Sequence, residues 1–401
     1  MRIKTIVFYI IISIFSFSTT VLAGSAKEPE VYAEGAAVVE YETGRLIWGK
    51  NEHMPLAMAS TTKIMTAVIA LEEGNLSDVA TISGLAANAP KVRMGLSKGE
   101  RITVEALLHA LMLESSNDAA VAIAEQIHGS VERFCEAMTM KAKEIGALNT
   151  SFETPNGLDA EGHFSTAYDL ALITRYALRN DFFVRLINTR HITVKSDKKA
   201  YDLRNRNRFL SEYDGAFGVK TGFTNLAGNC FVGAAEQNGM KLVSVVLASG
   251  WGQTGKERKW TDTRKVMDYA FDSFSFRKLI SEGEPAGESA LARAREAFVP
   301  LRHKRDVVLP VSDEEFGNMT VTVKALPVMP APVKKGEYAG TVKIYSGVEL
   351  LYEGEVVAGE DIDRHDLKTS AEKVLNGFLQ LGTNGGVWVA LPDFSPPWED
   401  K

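Results

Sequence analysis

Ala59-Ser60-Thr61-Thr62-Lys63 is the stretch from which the fold and the chemistry are both read. A serine hydroxyl is a weak nucleophile at neutral pH and needs a base within hydrogen-bond reach. Ile64, Met65, Val68, Ile69 and Leu71 follow at helical spacing, and Gly74 stands where such a helix would stop. A helix beginning at Ser60 would set Ser60 and Lys63 one turn apart on one face. Its free N–H groups and positive dipole end would favour an oxyanion and disfavour a charged lysine. Ser-x-x-Lys alone is a weak signal, because a capped helix with a surface lysine reads the same way.

Working outward, Glu34 to Lys50 reads as a β-hairpin, with Ala36 to Tyr41 and Arg45 to Trp48 flanking a Thr43-Gly44 turn. Residues 75–102 are polar and broken by Gly and Pro. They contain Gly95-Leu96-Ser97-Lys98-Gly99, a match to a serine nucleophile elbow, but that device needs a strand before it and a helix directly after. Neither is written here, so it reads as a turn. Thr103 caps a helix carrying Leu107, Leu108 and Leu111, and Ser115-Ser116-Asn117-Asp118 separates it from an apolar helix running from Ala119 to about His128. Helices over Val131 to Ile145 and Thr166 to Leu178 follow. Phe217 to Gly222 reads as a strand ending in glycine. Cys230 to Ala235 and Met240 to Leu247 are strands joined at Asn238-Gly239, a strong hairpin signal. A helix from Glu257 to Phe274 closes the region. Two early strands and three late ones, with helices between, predict an α+β domain with one antiparallel five-stranded sheet covered by helices.

Lys220-Thr221-Gly222 strengthens the opening signal. With Ser60-x-x-Lys63 and Ser115-x-Asn117 it completes S-x-x-K, S-x-N and K-T-G in order, one motif opening a helix, one between helices and one ending a strand. The chain here resembles the low-molecular-mass penicillin-binding proteins, the serine-type D-alanyl-D-alanine carboxypeptidases, over roughly residues 30–365. Pro155-Asn156-Gly157-Leu158, the run from Ser165 through Asp169, Asn205-Arg206-Asn207, Lys220 through Thr224 with Ala227-Gly228, and Ala331 to Gly336 share that likeness.

The resemblance implies that Ser60 attacks the carbonyl between two terminal D-alanines of a peptidoglycan stem peptide, forming an acyl-enzyme that penicillin and other β-lactams trap. Lys63 is then the general base. Ser115 carries a proton to the leaving amine, and Asn117 holds Lys63 and the substrate backbone. Lys220 and Thr221 take the substrate carboxylate, Gly222 lets substrate approach, and the backbone N–H groups of Ser60 and Phe223 form the oxyanion hole. No cofactor or metal is expected: the seven histidines show no zinc-ligand spacing. His163 reads as structural, and Arg258 is left outside the site. The alternatives are a DD-endopeptidase using the same residues, a class A-like β-lactamase, and a non-catalytic wall-binding protein. For the lactamase, Glu144 with Leu148-Asn149 is the nearest approach to the deacylating glutamate motif, one residue too far apart.

The remaining sequence bounds the setting. Arg2 and Lys4, an apolar run from Ile6 to Phe17, and Val21-Leu22-Ala23 before Gly24 form a secretory signal pattern. The alternative is an uncleaved anchor, for which the run is short. Removing residues 1–23 loses two basic and no acidic residues, so net charge moves from −6 to −8, and nucleic acid is not an expected partner. The enzyme is expected to be exported to the periplasm or the outer face of the cytoplasmic membrane. The expected domains are a signal peptide at 1–23, a catalytic domain at 24–276, an all-β domain at 277–365, and an amphipathic helix with a tail at 366–401. That helix, Asp366 to Leu381, offers peripheral membrane contact, with core packing or a partner contact as equal alternatives. Cys135 and Cys230 are read as buried free thiols rather than a disulfide framework.

Overall fold

The computed structural model describes residues 27–365 together with Ala371. The proposed leader and the C-terminal helix and tail lie outside the described residues. Two compact units divide the chain, one holding 27–277 with Leu309–Asp313, the other 278–308 with 314–365.

The first unit opens with the hairpin β1 (Gly35–Glu40) and β2 (Leu46–Lys50). A 3-10 turn over Ala59–Thr62 leads into α1 (Lys63–Glu73). A short pair, β3 (Val79–Thr81) and β4 (Arg101–Thr103), brackets the one-turn helix α2 (Gly84–Ala87). Then come α3 (Val104–His109), continued by a π-helical stretch Ala110–Glu114, α4 (Asn117–His128) and α5 (Val131–Ile145). Next are α6 (Ala167–Ala177), α7 (Asp181–Asn188), the hairpin β5 (His191–Lys195) and β6 (Ala200–Arg204), and the one-turn α8 (Phe209–Glu212). Strands β7 (Ala216–Thr224), β8 (Gly228–Gln237) and β9 (Met240–Leu247) precede α9 (Gly252–Ser273).

The main sheet has the order β2-β1-β9-β8-β7, and every neighbouring pair is antiparallel. The expected five-stranded sheet is therefore present. All six residues of β1 are buried, as are the first eight of β8. Strands buried on both faces need cover on both. On one face α6 packs on the sheet with α1 and α4 behind it, so that Ile64, Ile69, Ile123, Leu170 and Ile173 share one core with Val39, Val232 and Val243. On the other, α9 packs Trp260 and Met267 against Phe231 and Phe209. There Phe231 meets Trp260 and Phe209 edge to face, with ring centroids 4.6 and 5.4 Å apart. A fully buried side chain of this size contributes about 2–3 kcal/mol.

Local signals set most boundaries. Asn238 and Gly239 both hold positive φ, 51° and 78°, as a two-residue hairpin requires. The Thr103 side chain accepts from Ala106 N and caps α3, as read from sequence. Three expectations need adjustment. The first α-helix begins at Lys63, so Ser60 sits on the preceding 3-10 turn rather than at a helix start. The helix expected from Ala119 begins at Asn117. The strand expected to end at Gly222 runs on to Thr224 because β8 continues to pair with it there. Helix α7 and the β5–β6 hairpin are additions that the sequence reading passed over.

The chain leaves α9 through β10 (Phe274–Ile280). After it β11 (Pro285–Ala292), β12 (Phe298–His303), β13 (Val307–Ser312), β14 (Met319–Ala325), β15 (Val328–Pro330), β16 (Tyr338–Ser346) and β17 (Glu349–Ala358) follow in order, all in the second unit except β13, most of which belongs to the first. Six of these form a sheet in the order β14-β16-β17-β12-β11-β15, an all-β region as expected. Among the described residues no helix is long and apolar enough to cross a membrane.

Candidate active site

Ala59 holds φ 48°, a left-handed conformation for a non-glycine residue. That turn and the 3-10 geometry after it present the Ser60 side chain at the head of α1. Thr61 Oγ donates to Met58 O at 2.6 Å and Thr62 Oγ donates to Ala59 O at 2.8 Å, so both threonines brace the turn from within. His163 continues the brace. Its Nδ1 accepts from Glu153 N at 3.0 Å, which leaves Nε2–H to donate to Thr62 Oγ at 2.9 Å. Burial pushes the His163 imidazole down to about 4, so it stays neutral in this role.

Lys63 is 0% exposed. Its Nζ lies 2.8 Å from Ser60 Oγ and 2.8 Å from Asn117 Oδ1, and it also donates to the backbone carbonyl of Asn156. The Asn117 and Asn156 oxygens can only accept, so they engage two N–H bonds. As an ammonium Lys63 also donates to Ser60 Oγ; once neutral, with its two N–H bonds on those oxygens, it has its lone pair left for the Ser60 hydroxyl. Burial is the main cause holding the Lys63 pKa well below its usual 10.5, and the Lys220 charge adds to it while Asp118 opposes both. A buried lysine with no ion pair among the described residues is one whose charged form is disfavoured.

The Asn156 carbonyl reaches this position because residue 157 is glycine. Gly157 has φ 82°, and a Cβ there would lie 1.9 Å from the carbonyl oxygen of Ala59. Asn117 is positioned from the other side. It opens α4 and donates from Nδ2 to Pro90 O at 3.1 Å. The next residue, Asp118, accepts from Met94, Gly95 and Leu96 N at 2.9–3.1 Å. Gly95 to Gly99 is therefore a loop gathered on a buried carboxylate, with no strand ahead of it.

Ser115 follows the π-helical stretch with φ 67°. Such local strain in a non-glycine residue costs about 1–3 kcal/mol and is common where a side chain must be aimed. Ser115 shares a cleft with Asn205, Arg206, Asn207, Lys220 and Thr221. Lys220 is 2% exposed and donates to Thr221 O at 2.9 Å. Burial, then the charges of Lys259 and Arg206, lower its pKa to about 7.

Strand β7 is an edge of the sheet, and one of its faces meets the Ser60 turn. A Cβ on Gly222 would stand 3.0 Å from Ser60 N and 3.1 Å from Ala59 Cβ. Gly222 thus lets the nucleophile turn itself approach the strand, where the sequence reading assigned that closeness to substrate. Phe223 is next along β7, with its side chain half exposed.

All eight expected site residues lie on elements that meet here. Sequence reasoning gave no role to the Asn156 carbonyl or to Arg206 in the cleft, whereas His163, read as structural, is found bracing the turn. Backbone acceptors leave no residue-type signal, and Gly157 was the one available hint. Glu144 instead pairs with Lys141 at 2.8 Å on α5. The Arg258 guanidinium lies over the Tyr32 ring, 3.8 Å from its centroid.

Residues 23–250 match the family model described as D-alanyl-D-alanine carboxypeptidase, and residues 274–364 match that of the penicillin-binding protein 5 C-terminal domain. The chain is 32% identical over 357 residues to the D-alanyl-D-alanine carboxypeptidase DacF of Bacillus subtilis, covering 87% of this chain and 90% of that one. It is 29% identical to DacC of Escherichia coli, again covering 87% and 90%. Among solved structures, penicillin binding protein 5 from Haemophilus influenzae is similar with TM-score 0.71 and 26% identity, over 84% of this chain and all of that one.

Proposed function

Because the chain belongs to the D-alanyl-D-alanine carboxypeptidase family, we propose that Ser60 is the nucleophile of this serine hydrolase and that deprotonated Lys63 is its base. The substrate is a peptidoglycan stem peptide ending in two D-alanines, and β-lactams enter as its mimics. Lys63 Nζ takes the Ser60 proton as Oγ attacks the scissile carbonyl. Ser60 N–H and Phe223 N–H receive the oxyanion, which forms beside an edge strand and at the head of a tight turn. Ser115 passes a proton to the departing D-alanine, and Asn117 keeps Lys63 and the substrate backbone in register. Lys220 and Thr221 hold the terminal carboxylate by charge and hydroxyl donation. Water then releases the shortened peptide.

The observation that supports this reading above the others is the contact set of Lys63. Two acceptor-only oxygens engage its N–H groups and leave its lone pair for Ser60. The expected result is that Ser60→Ala abolishes both D-alanine release and the covalent penicillin adduct, and that mass spectrometry of the wild-type adduct maps it to Ser60. D-alanine release that survives in Ser60→Ala would overturn the assignment. Slow loss of the penicillin adduct is expected as well, and rapid regeneration of free enzyme would favour a β-lactamase instead.

Export to the outside of the cytoplasm fits a wall substrate, and the basic, then apolar, then small-residue leader supports it. The mature chain is expected to begin at Gly24, which the N-terminal mass of secreted protein checks. Peripheral membrane contact through residues 366–381 is tested by truncation after Arg364, and an unchanged bound fraction dismisses it.

A further inference from the structure

Two segments far apart in sequence meet on a surface that the mechanism does not use. Residues 91–101 approach α3, and residues 195–199 form the turn of the β5–β6 hairpin. They are locked together: Arg101 N donates to Asp197 Oδ1 at 2.8 Å, Asp197 N donates to Arg101 O at 3.0 Å, and the Tyr201 hydroxyl donates to Glu100 at 2.6 Å. Arg93, Lys98, Arg101, Lys195, Lys198 and Lys199 are all exposed on these segments, in a chain whose net charge is −6. None of them makes an ion pair among the described residues, whereas Lys141, Arg208 and Lys304 elsewhere each meet a carboxylate. Three are held by neutral backbone carbonyls instead, Arg93 by Ala87, Lys198 by Lys98 and Lys199 by Gly95, at 2.9–3.2 Å. The acids of the two segments are already engaged. Glu100 is fully buried on Ser97 N and Tyr201, and Asp197 has one oxygen on Arg101 N.

A lone exposed cation is an ordinary solvated charge. A group of them without ion pairs keeps a positive field over its part of the surface, and such a field draws anions. This surface also borders the site. Asn117, which holds Lys63, takes its own position from the start of the first segment: its N donates to Val92 O at 2.8 Å and its Nδ2 to Pro90 O at 3.1 Å. The substrate of the site reading is itself a repeating anion, because every uncleaved stem on a glycan strand ends in a carboxylate like the one at Lys220. We infer that the basic surface binds the carboxylates of the stems flanking the one in the cleft, and so holds the enzyme on polymeric peptidoglycan while Ser60 works on a single stem. The inference rests on the site reading, since that reading is what makes the substrate a stem carboxylate. Carbonyl anchoring suits the task, for it fixes Lys198 and Lys199 without cancelling their charge. Lysine suits it too: an ammonium is a point charge that accepts carboxylates from many directions.

The test changes Lys98, Lys195 and Lys198 together, to glutamine in one variant and to arginine in another. The substrates are an acylated L-Lys-D-Ala-D-Ala tripeptide and un-cross-linked peptidoglycan bearing pentapeptide stems, freed of phosphate polymers with hydrofluoric acid. At low ionic strength the glutamine variant is expected to lose about tenfold in kcat/KM on the polymer, roughly two- to threefold for each exposed pair. It should lose nothing on the tripeptide, and the arginine variant should keep the wild-type rate on both. Salt of about 1 M, where the screening length is ~3 Å, should bring wild type down to the glutamine variant on the polymer. Equal polymer rates for wild type and the glutamine variant, or the same loss on the tripeptide, overturn the inference. So does a difference seen only on peptidoglycan that retains its phosphate polymers, because the anion bound is then a phosphodiester. Penicillin acylation of Ser60 is measured in parallel. If Ser60 is acylated normally and the polymer rates do not differ, the basic surface alone fails; if wild-type Ser60 is not acylated, the site reading fails and takes the inference with it.

Discussion

Lys63 and Lys220 are two buried lysines with opposite duties in the proposed mechanism, and pH separates them. As the proposed base, Lys63 has to be neutral to accept a proton, and its pKa lies well below 10.5 mainly through burial. As the proposed carboxylate holder, Lys220 has to be charged, and its pKa is lowered to about 7, mainly through burial. Falling pH protonates Lys63 and removes the base; rising pH through about 7 discharges Lys220 and weakens substrate binding. The expected kcat/KM profile is a bell whose alkaline limb falls near pH 7 and flattens in Lys220→Arg, a guanidinium that stays charged. An alkaline limb unaffected by that change would remove Lys220 from carboxylate binding. His163 supplies a stability prediction. Its folded pKa of about 4 lies below the usual 6.5, so above pH 6.5 it is neutral in both states and costs nothing. Between 6.5 and 4 the unfolded chain takes the proton first, and stability falls as pH drops. At pH 5 the loss is of order 2 kcal/mol. Urea midpoints at pH 7 and pH 5 should converge in His163→Gln, and equal slopes in both proteins would contradict this.

At the scale of elements, the site depends on three pieces of backbone brought closer than side chains would permit. The 3-10 turn at Ala59–Thr62, the loop at Asn156-Gly157 and strand β7 at Gly222 touch through glycine Cα positions. A Cβ at Gly157 has nowhere to go, because its nearest neighbour is backbone rather than a flexible side chain, and φ 82° already disfavours any other residue. Gly157→Ala is expected to shift the Asn156 carbonyl away from Lys63 and slow Ser60 acylation by penicillin on the order of a hundredfold, since a displacement near 1 Å is that costly. Stopped-flow acylation checks the rate, and circular dichroism of the same sample checks that the fold persists. Near-normal acylation would show that the loop can yield. The π-helical stretch before Ser115 belongs to the same scale: an extra residue per turn at a helix end re-aims the side chain that follows it.

Across the whole molecule, the catalytic unit is a sheet with apolar cover on both faces, and carboxylates buried within it hold backbone N–H groups in place. Asp262 is one: wholly buried, it accepts from Tyr32 and Ala33 N and ties the entry of the chain to α9. Cys135 and Cys230 illustrate the same dryness. Both are free and buried, and burial pushes each thiol up to about 12. Neither is a reactive thiolate at neutral pH. A maleimide reagent is expected to leave the native protein unlabelled and to modify two sites in denaturant. Labelling of the native chain, or one protected pair in denaturant without reductant, would refute the picture of two separate buried thiols.

Much of this was legible in the chain itself. Helical and strand periodicity depend on residues a few positions apart, so α5, β9 and the Asn238-Gly239 hairpin could be read locally. Ser60, Lys63, Ser115, Asn117 and Lys220 to Phe223 were legible because each motif keeps a fixed short spacing. Helix α7 and the β5–β6 hairpin escaped because their signals are brief, and packing decides short elements. What only the tertiary structure decided is the state of Lys63. No local feature announces that its ammonium will be buried, that Asn117 from 54 residues away and a carbonyl 93 residues away will engage its N–H bonds, or that glycines will let those segments meet. Charge and desolvation act through space, and only folding brings their sources together.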